Sequence, residues 1–359
     1  MLPFFDSSLE ETAGDSPAFP AGGWFGIRKM LVSPRVSVLV FWGRLWYDIF
    51  YEGSVTMLDF QRPQLSQKDD YERILFSCPP RGCEYSFANL YLWGRQQLVF
   101  THGCVAFFSH FNGRSVYPYP IGAGDRRAVI EEILLDARQR GIPCRIVSMT
   151  EADQAELQGW FPEKFLFRCD RDSFDYVYTV DDLADLKGRK FQKKRNHVNR
   201  FRSEHPDFVL QGLTDGNFSS AQRMVNDWYR TRMLEDPTGD NMLESIAISR
   251  AFRHYQGLQL ETALLLENGE ILAVTMGSRL AQDTFDIHFE KAREDVDGAY
   301  AAINCEFARY LRLKYPQVKY LNREDDVGLE GLRKAKLSYN PCHMVTKYWA
   351  YLAEDFHGD

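Results

Sequence analysis

Thr284-Phe285-Asp286-Ile287-His288-Phe289-Glu290-Lys291 runs through the charged loop Arg293-Glu294-Asp295-Val296-Asp297-Gly298 into Ala299 to Leu311. Thr284, Asp286, His288 and Glu290 alternate with Phe285, Ile287 and Phe289, the period-two pattern of a strand with one buried apolar face. The same alternation predicts Asp286, His288 and Glu290 side by side on the other face, where an acid and a histidine can handle protons. Ala299 to Leu311 reads as a helix, and its first backbone amides have no intrahelical partner. A helix mouth beside such a strand can hold an anionic group. The plainer alternative is a solvated edge strand followed by an ordinary amphipathic helix.

Upstream of this stretch, strands at Glu261 to Leu266 and Ile271 to Arg279 are joined by the hairpin turn Asn268-Gly269. They follow a strand at Phe208 to Gln211 and helices at Ser219 to Met233 and Leu243 to Tyr255. Downstream come a strand at Val318 to Asn322, a helix near Leu329 to Lys336, and a closing strand at Met344 to Tyr351. The first half repeats the order. A strand at Met57 to Phe60 and two helices precede strands at Gln97 to Thr101, Val105 to Phe111 and Ser115 to Tyr119, the last two joined at Asn112-Gly113. A periodic helix, Asp125 to Arg140, then stops at Gly141 and Pro143 before a strand at Arg145 to Met149. In both halves three antiparallel strands lead through a loop to one long helix and then to a parallel strand. The fold expected is α/β with mixed layers, in two copies. Residues 57–182 form the first copy, 183–206 a basic helical connector, and 207–359 the second copy with the active site. Residues 1–56, opening on a Gly/Pro/Ser-rich acidic segment, read as an N-terminal extension or a misassigned start.

A chain of 359 residues is long enough for two sizeable cores, and 45% hydrophobic with 26% charged content is that of a globular protein. The net charge of −7 argues against a protein that coats nucleic acid over its whole surface. Seven cysteines form no C-x-x-C pair, which favours a reducing cytoplasm over a disulfide framework and gives no metal site. The apolar run Val36 to Phe50 is broken by Arg44 and Asp48, so no membrane span is expected. No G-x-S-x-G, H-E-x-x-H or Walker motif occurs, and covalent catalysis has no support.

Against the acidic whole, Lys187 to Arg202 holds eight Lys or Arg and no acid. On a helix Phe191, Val198 and Phe201 share a stripe that docks on the protein, leaving Lys193, Asn196 and Arg200 outward with Lys194 and Arg195 nearby. A basic helix fixed in this way suits an RNA backbone or a polyphosphate, and a solvated face is the alternative. After the strand at Val318, Asn322-Arg323-Glu324-Asp325-Asp326 leads to a glycine-punctuated turn, a position that commonly faces a ligand cleft. Adjacent carboxylates rarely converge on a metal, so salt bridges from Glu324, Asp325 and Asp326 to Arg323, Arg333 and Lys334 are the expectation. Pro120-Ile121-Gly122-Ala123-Gly124-Asp125 reads as a tight strand-to-helix turn, with a phosphate nest as the weaker reading.

Three segments together resemble a known family: Lys193 to Phe201, Ile287-His288-Phe289-Glu290-Lys291-Ala292, and Asn322-Arg323-Glu324-Asp325-Asp326-Val327-Gly328-Leu329-Glu330 running on to Tyr339. It is the bacterial family grouped with the carboxyl-terminal catalytic domain of phosphatidylglycerol lysyltransferases, and Glu84-Tyr85-Ser86-Phe87-Ala88-Asn89-Leu90-Tyr91-Leu92-Trp93 belongs to the same likeness. The resemblance implies tandem acyltransferase folds of the Gcn5-related (GNAT) type, related to the Fem-type peptidyltransferases. It implies transfer of an acyl or aminoacyl group from acyl-coenzyme A or aminoacyl-tRNA to an amine or hydroxyl, with no permanently bound cofactor. Glu290 or His288, with Asp286, would be the proton-handling groups. Gly298, Ala299 and Tyr300 would take the donor phosphate, with Arg323, Arg333 and Lys336 neutralising it or orienting the acceptor. Asn322, Glu324 and Asp325 would contact the acceptor, and Lys193, Lys194, Arg195, Asn196 and Arg200 a tRNA acceptor stem. The lysyltransferases carry a large membrane-embedded region ahead of this domain, so a lipid acceptor does not follow. A non-catalytic module sensing a nucleotide or RNA is the second expectation, and attachment to anionic lipid through Lys187 to Arg202 the third.

Overall fold

The structure, a computed structural model, describes residues 57–355 apart from 80, 112 and 236–238. The expected extension 1–56 and Asn112 of the hairpin turn lie outside the described residues.

Helices α1 (Lys68–Ser77) and α2 (Phe87–Trp93) precede antiparallel β1 (Gln96–Thr101), β2 (Cys104–Phe111) and β3 (Arg114–Pro118). Met57 to Phe60 forms no strand; a single bridge pairs Gln61 with Leu98, and the Phe60 ring packs on Phe108 and Tyr117. The short β4 (Ile121–Gly122) folds back on β2, and α3 (Arg126–Arg140) leads to β5 (Arg145–Met149), parallel to β3. Asp125 starts α3 by accepting from the Ala128 amide, and Gly141 ends it in the left-handed conformation. The glycine turn before α3 is a packed corner, because a Cβ on Gly124 would enter the backbone of His102 and Gly103. Then follow α4 (Glu151–Trp160), β6 (Phe165–Cys169), β7 (Asp175–Thr179) and α5 (Val180–Asp185).

The basic segment is α6 (Gln192–Glu204), with Phe191, Val198 and Phe201 buried as its apolar stripe requires. After it come β8 (Val209–Gln211), α7 (Asp215–Glu235), α8 (Gly239–His254), β9 (Glu261–Glu267), β10 (Glu270–Arg279) and β11 (Thr284–Ala292). The chain continues through α9 (Ala299–Lys314), β12 (Tyr320–Asn322), α10 (Glu330–Leu337), β13 (His343–Val345) and β14 (Tyr348–Leu352). Both halves therefore hold the expected repeat, with β12 parallel to β11 as β5 is to β3.

Two seven-stranded mixed sheets result, and two strands cross the expected boundary between the copies. β7, placed by sequence in the first copy, lies between β12 and β13 in the second sheet. The closing strand expected at Met344 to Tyr351 is two strands: β13 stays with β7, while β14 pairs with β5 and β6 in the first sheet. The break falls at Lys347, whose buried ammonium reaches Asp175 at 2.6 Å and Glu84 at 2.7 Å. Lys347 thus lies between the two strands and belongs to neither ladder. The halves also share apolar packing, since α1 and α2 meet α7 and α8 in one buried cluster.

The alternation read along β11 breaks at one residue. Phe289 stands opposite Met276, but Ile287 stands opposite the next residue, Gly277, so His288 is an extra residue in a bulge. Phe285, Ile287 and Ala292 face the α9 side, whereas Phe289 packs in the cluster of α7 and α8. Glu290 is thereby turned to the α9 face, away from Asp286. The three groups do not share a face, contrary to the period-two expectation. Gly277 permits the bulge, because a Cβ there would collide with the Asp286 carbonyl oxygen and the Phe285 ring. Gly277→Ala should cost about 1–3 kcal/mol of stability, read from the midpoint of denaturant unfolding. An unchanged midpoint would show that the bulge tolerates a side chain.

Candidate functional site

The bulge divides the polar groups of β11 between two clusters. In the first, Asp286 and His288 meet Glu324, which follows β12, and Asn89 of α2. The His288 Nδ1 lies 3.3 Å from Glu324 Oε1 and 3.4 Å from Asp286 Oδ2, and its Nε2 is 2.8 Å from the Ser278 hydroxyl. The Asn89 amide donates to Glu324 at 2.9 Å and to the Cys83 carbonyl at 2.9 Å. The side chains of Asp286 and His288 are fully buried. Burial, then the Glu324 and Asp175 carboxylates, push the Asp286 pKa well up. Glu324 takes a left-handed backbone conformation (φ 58°), secured by its amide donating to Asn322 Oδ1.

Beside this cluster, Asp175 accepts from the Cys83 amide, Asn322 Nδ2 and Lys347. Asn322 is therefore a buried link rather than an exposed acceptor contact. Asp325 does not converge with Glu324; burial pushes its pKa up to about 6. Asp326 pairs with Arg333 at 2.8 Å and accepts from the Tyr176 hydroxyl, so of the expected salt bridges this one forms. Lys334 pairs with Glu330 instead.

On the opposite face Glu290 accepts from Arg323 at 2.8 Å and from Asn304 of α9 at 3.2 Å. The β11–β12 ladder covers three pairs, ending at Asp286 and Asn322, and β11 continues six residues beyond it to Ala292. The strands part there, and Glu290 and Arg323 stand in the gap. The Arg323 guanidinium lies over Tyr339 (4.9 Å), and Lys194 lies over the same ring (3.9 Å). Arg323 Nη1 and Asn304 Oδ1 are buried without a partner.

Lys194 opens onto a cleft of 340 Å³ lined by Arg189, Lys190, Gln192, Lys193, Lys194, His197 and Ser338, with no carboxylate among them. Burial, reinforced by the Arg323 guanidinium, pulls the Lys194 pKa down to about 8. Lys193 and Asn196 are exposed on α6 as expected. Arg195 instead donates to the Leu186 and Gly188 carbonyls, which fixes it without neutralising its charge, and Arg200 pairs with Asp297. Arg333 is held by Asp326 and Asp172, and Lys336 by the Arg323 and Asp325 carbonyls, which removes both from phosphate binding in this arrangement. Gly298 caps α9 with φ 80°, closely packed on the His197 carbonyl and Phe201; Ala299 is buried and Tyr300 is exposed. The helix mouth thus leans on α6 beside the basic cleft.

Sequence reasoning missed Asn89, Asp175, Ser278, Asn304, Tyr339 and Lys347 as members of these clusters. Asn89 stood inside a quoted motif, but Asp175 and Lys347 are separated by 172 positions and carry no local signal.

Residues 76–351 match the model of the family described as phosphatidylglycerol lysyltransferase, C-terminal. The chain belongs to this family. Membership places it among acyl- and aminoacyl-transferases, and the two sheets are tandem GNAT-like units. A conserved protein of unknown function from Bacteroides thetaiotaomicron VPI-5482 is 35% identical, with a TM-score of 0.78 over 82% of this chain and all of that one. L-PGS from Bacillus licheniformis is 17% identical, with a TM-score of 0.58 over 81% of this chain and 92% of that one, a likeness of fold. An uncharacterized protein of Mycoplasmoides gallisepticum is 24% identical over 178 residues, 49% of this chain and 55% of the relative, so the match spans about half that protein's length. Among the described residues no helix is long and apolar enough to cross a membrane.

With its pKa near 8, Lys194 should be about half neutral at pH 8, against about 0.3% for an ordinary lysine. Competitive acetylation followed by peptide mass spectrometry should give Lys194 a midpoint near pH 8, below the ordinary lysine range. A midpoint in the ordinary lysine range would show that Lys194 is not desolvated over Tyr339.

Proposed function

We propose that the protein transfers an acyl or aminoacyl group from a coenzyme A thioester or an aminoacyl-tRNA ester to an amine or hydroxyl, in the gap between β11 and β12. The observation that carries this reading is the buried, unpartnered Arg323 Nη1 beside Glu290, with Arg323 sharing the Tyr339 ring with Lys194, which lines a cation-rich cleft. A buried donor without an acceptor costs about 1–3 kcal/mol, and the carbonyl oxygen of a bound donor would satisfy it. Donor phosphates fit the cleft of Arg189, Lys193, Lys194 and His197 better than the first turn of α9, which α6 covers.

The acceptor nitrogen or oxygen attacks the donor carbonyl, and the negative charge passes to the carbonyl oxygen near Arg323. The acceptor's proton goes to Glu290, the only one of the three β11 groups turned to this face. Collapse of the tetrahedral intermediate breaks the bond to sulfur or to the ribose oxygen, and the leaving group takes up a proton. Donors aimed at the developing oxyanion contribute about 3 kcal/mol each in characterised cases.

A second reading, a module that binds the same donor without consuming it, is favoured by one observation. Both Glu290 oxygens already accept hydrogen bonds, from Arg323 and from Asn304, so neither is free to meet an acceptor's proton without breaking one. Glu290→Gln discriminates. A transferase should lose about 100-fold or more in turnover while still binding coenzyme A or tRNA in calorimetry. Equal transfer rates in the two forms would remove Glu290 from the reaction. Donor binding without transfer to any amine or hydroxyl by the unaltered protein would favour the binding module.

A further inference from the structure

We propose that Asp286, His288 and Glu324 form a binding site for a divalent cation, zinc by the character of the donors. The site lies on the face of β11 opposite the cleft and is independent of the transferase reading. The His288 Nδ1 is 3.3 and 3.4 Å from one oxygen of each carboxylate, and the three atoms lie within 4.8 Å of one another. For bonds of about 2.1 Å to a common ion, the two nitrogen–oxygen spacings subtend about 105°, close to the tetrahedral angle that zinc adopts. The Ser278 hydroxyl at 2.8 Å from Nε2 suits the tautomer with hydrogen on Nε2 and a lone pair on Nδ1, the partner arrangement common at histidine ligands.

The second observation concerns the atoms left without partners. Asp286 Oδ1 is buried without a partner, while Asn89 directs its amide nitrogen, not its oxygen, at Glu324 and Asp286. A carboxylate with an orphaned oxygen beside a second carboxylate calls for positive charge. The neighbouring set of Cys83, Glu84 and Asp175 shows how such a need is met within the chain, because Lys347 supplies an ammonium there. No lysine or arginine makes an ion pair with Asp286 or Glu324 among the described residues. The Asp286 and His288 side chains are wholly enclosed and Glu324 is partly exposed, which gives a small ion a path in on the Glu324 side. Bound there, it would tie the β11 bulge to the segment after β12, directly beneath Asn89 of α2.

Cobalt(II) is the probe. The full chain, stripped with a chelator and titrated with Co2+, should take up one equivalent with the intense visible bands of a tetrahedral centre, displaced by Zn2+. His288→Gln and Asp286→Asn should abolish those bands, and Ser278→Ala, which keeps all three ligands, should weaken binding about 10–100-fold. Three outcomes would overturn the proposal. One is the absence of a one-equivalent tetrahedral spectrum in the unaltered protein, a test that needs no variant to fold. Another is a spectrum that survives in well-folded variants. The third is a His288 ring that nitrogen NMR shows doubly protonated at neutral pH with Zn2+ present, which would make an imidazolium the counter-charge.

Discussion

One extra residue in β11 governs the arrangement of this protein's polar groups. Had the strand kept its period of two, Asp286, His288 and Glu290 would share a face and bring a third carboxylate beside the imidazole that Asp286 and Glu324 already flank. The bulge at His288 sends Glu290 through the sheet to α9 and leaves Asp286 facing α2. Bulges bend a strand and increase its twist, and here β12 stops following β11 after Asn322. The parting of the strands and the division of the acids therefore have one local cause. It depends on Gly277, where no side chain contests the space taken by the Asp286 carbonyl.

A second constraint ties the repeats together. Asp175, fully buried on β7, gathers hydrogen bonds from the Cys83 amide, Asn322 and Lys347, which come from three distant parts of the chain. An unpaired buried carboxylate is costly, so each of those partners is held where Asp175 needs it. The crossing of β7 and β14 between sheets follows from the same anchor, because Lys347 lies in the two-residue gap between β13 and β14. The polar clusters sit where the exchange takes place. Loosening the exchanged strands would loosen both sites at once.

The sequence carried the elements and their repeat because those signals are local. Asp125 and Gly141 bracket α3 by capping chemistry, and Phe191, Val198 and Phe201 mark the buried stripe of α6 by spacing alone. The two copies of strand order were legible for the same reason. What escaped was register and partnership. Nothing within Thr284 to Lys291 says that His288 is unpaired, because the cause sits across the ladder at Gly277. Similarly, the run Met344 to Tyr351 reads as one strand until Asp175 and Glu84 claim Lys347 from its middle. Arg195 and Lys336 read as anion-binding cations because their partners are backbone carbonyls that spacing cannot bring near, whereas the Asp326–Arg333 pair lies within one local run and was legible.

The two faces of β11 differ in the charged group they leave unsatisfied. On the α9 face the buried guanidinium of Arg323 keeps an unused donor, next to a cleft with only cationic and neutral polar walls. On the α2 face the unused groups of Asp286 and Asn89 are acceptors, and the nearest ammonium, Lys347, is taken up by Asp175 and Glu84. The two clusters are separated by a single strand, and on the α9 face Asn304 Oδ1 is an unused acceptor beside the Arg323 donor. The separation also protects the chemistry. Were Asp286 on the Glu290 face, its negative charge would oppose an oxyanion forming near Arg323, and in a buried setting that repulsion is screened little. Turning Asp286 away removes the repulsion and leaves Arg323 with one carboxylate, enough to fix the guanidinium in place while its second amino group stays available. The same one-residue insertion thus separates an anion-seeking site from a cation-seeking one, and it does so with side chains that lie within five positions of one another.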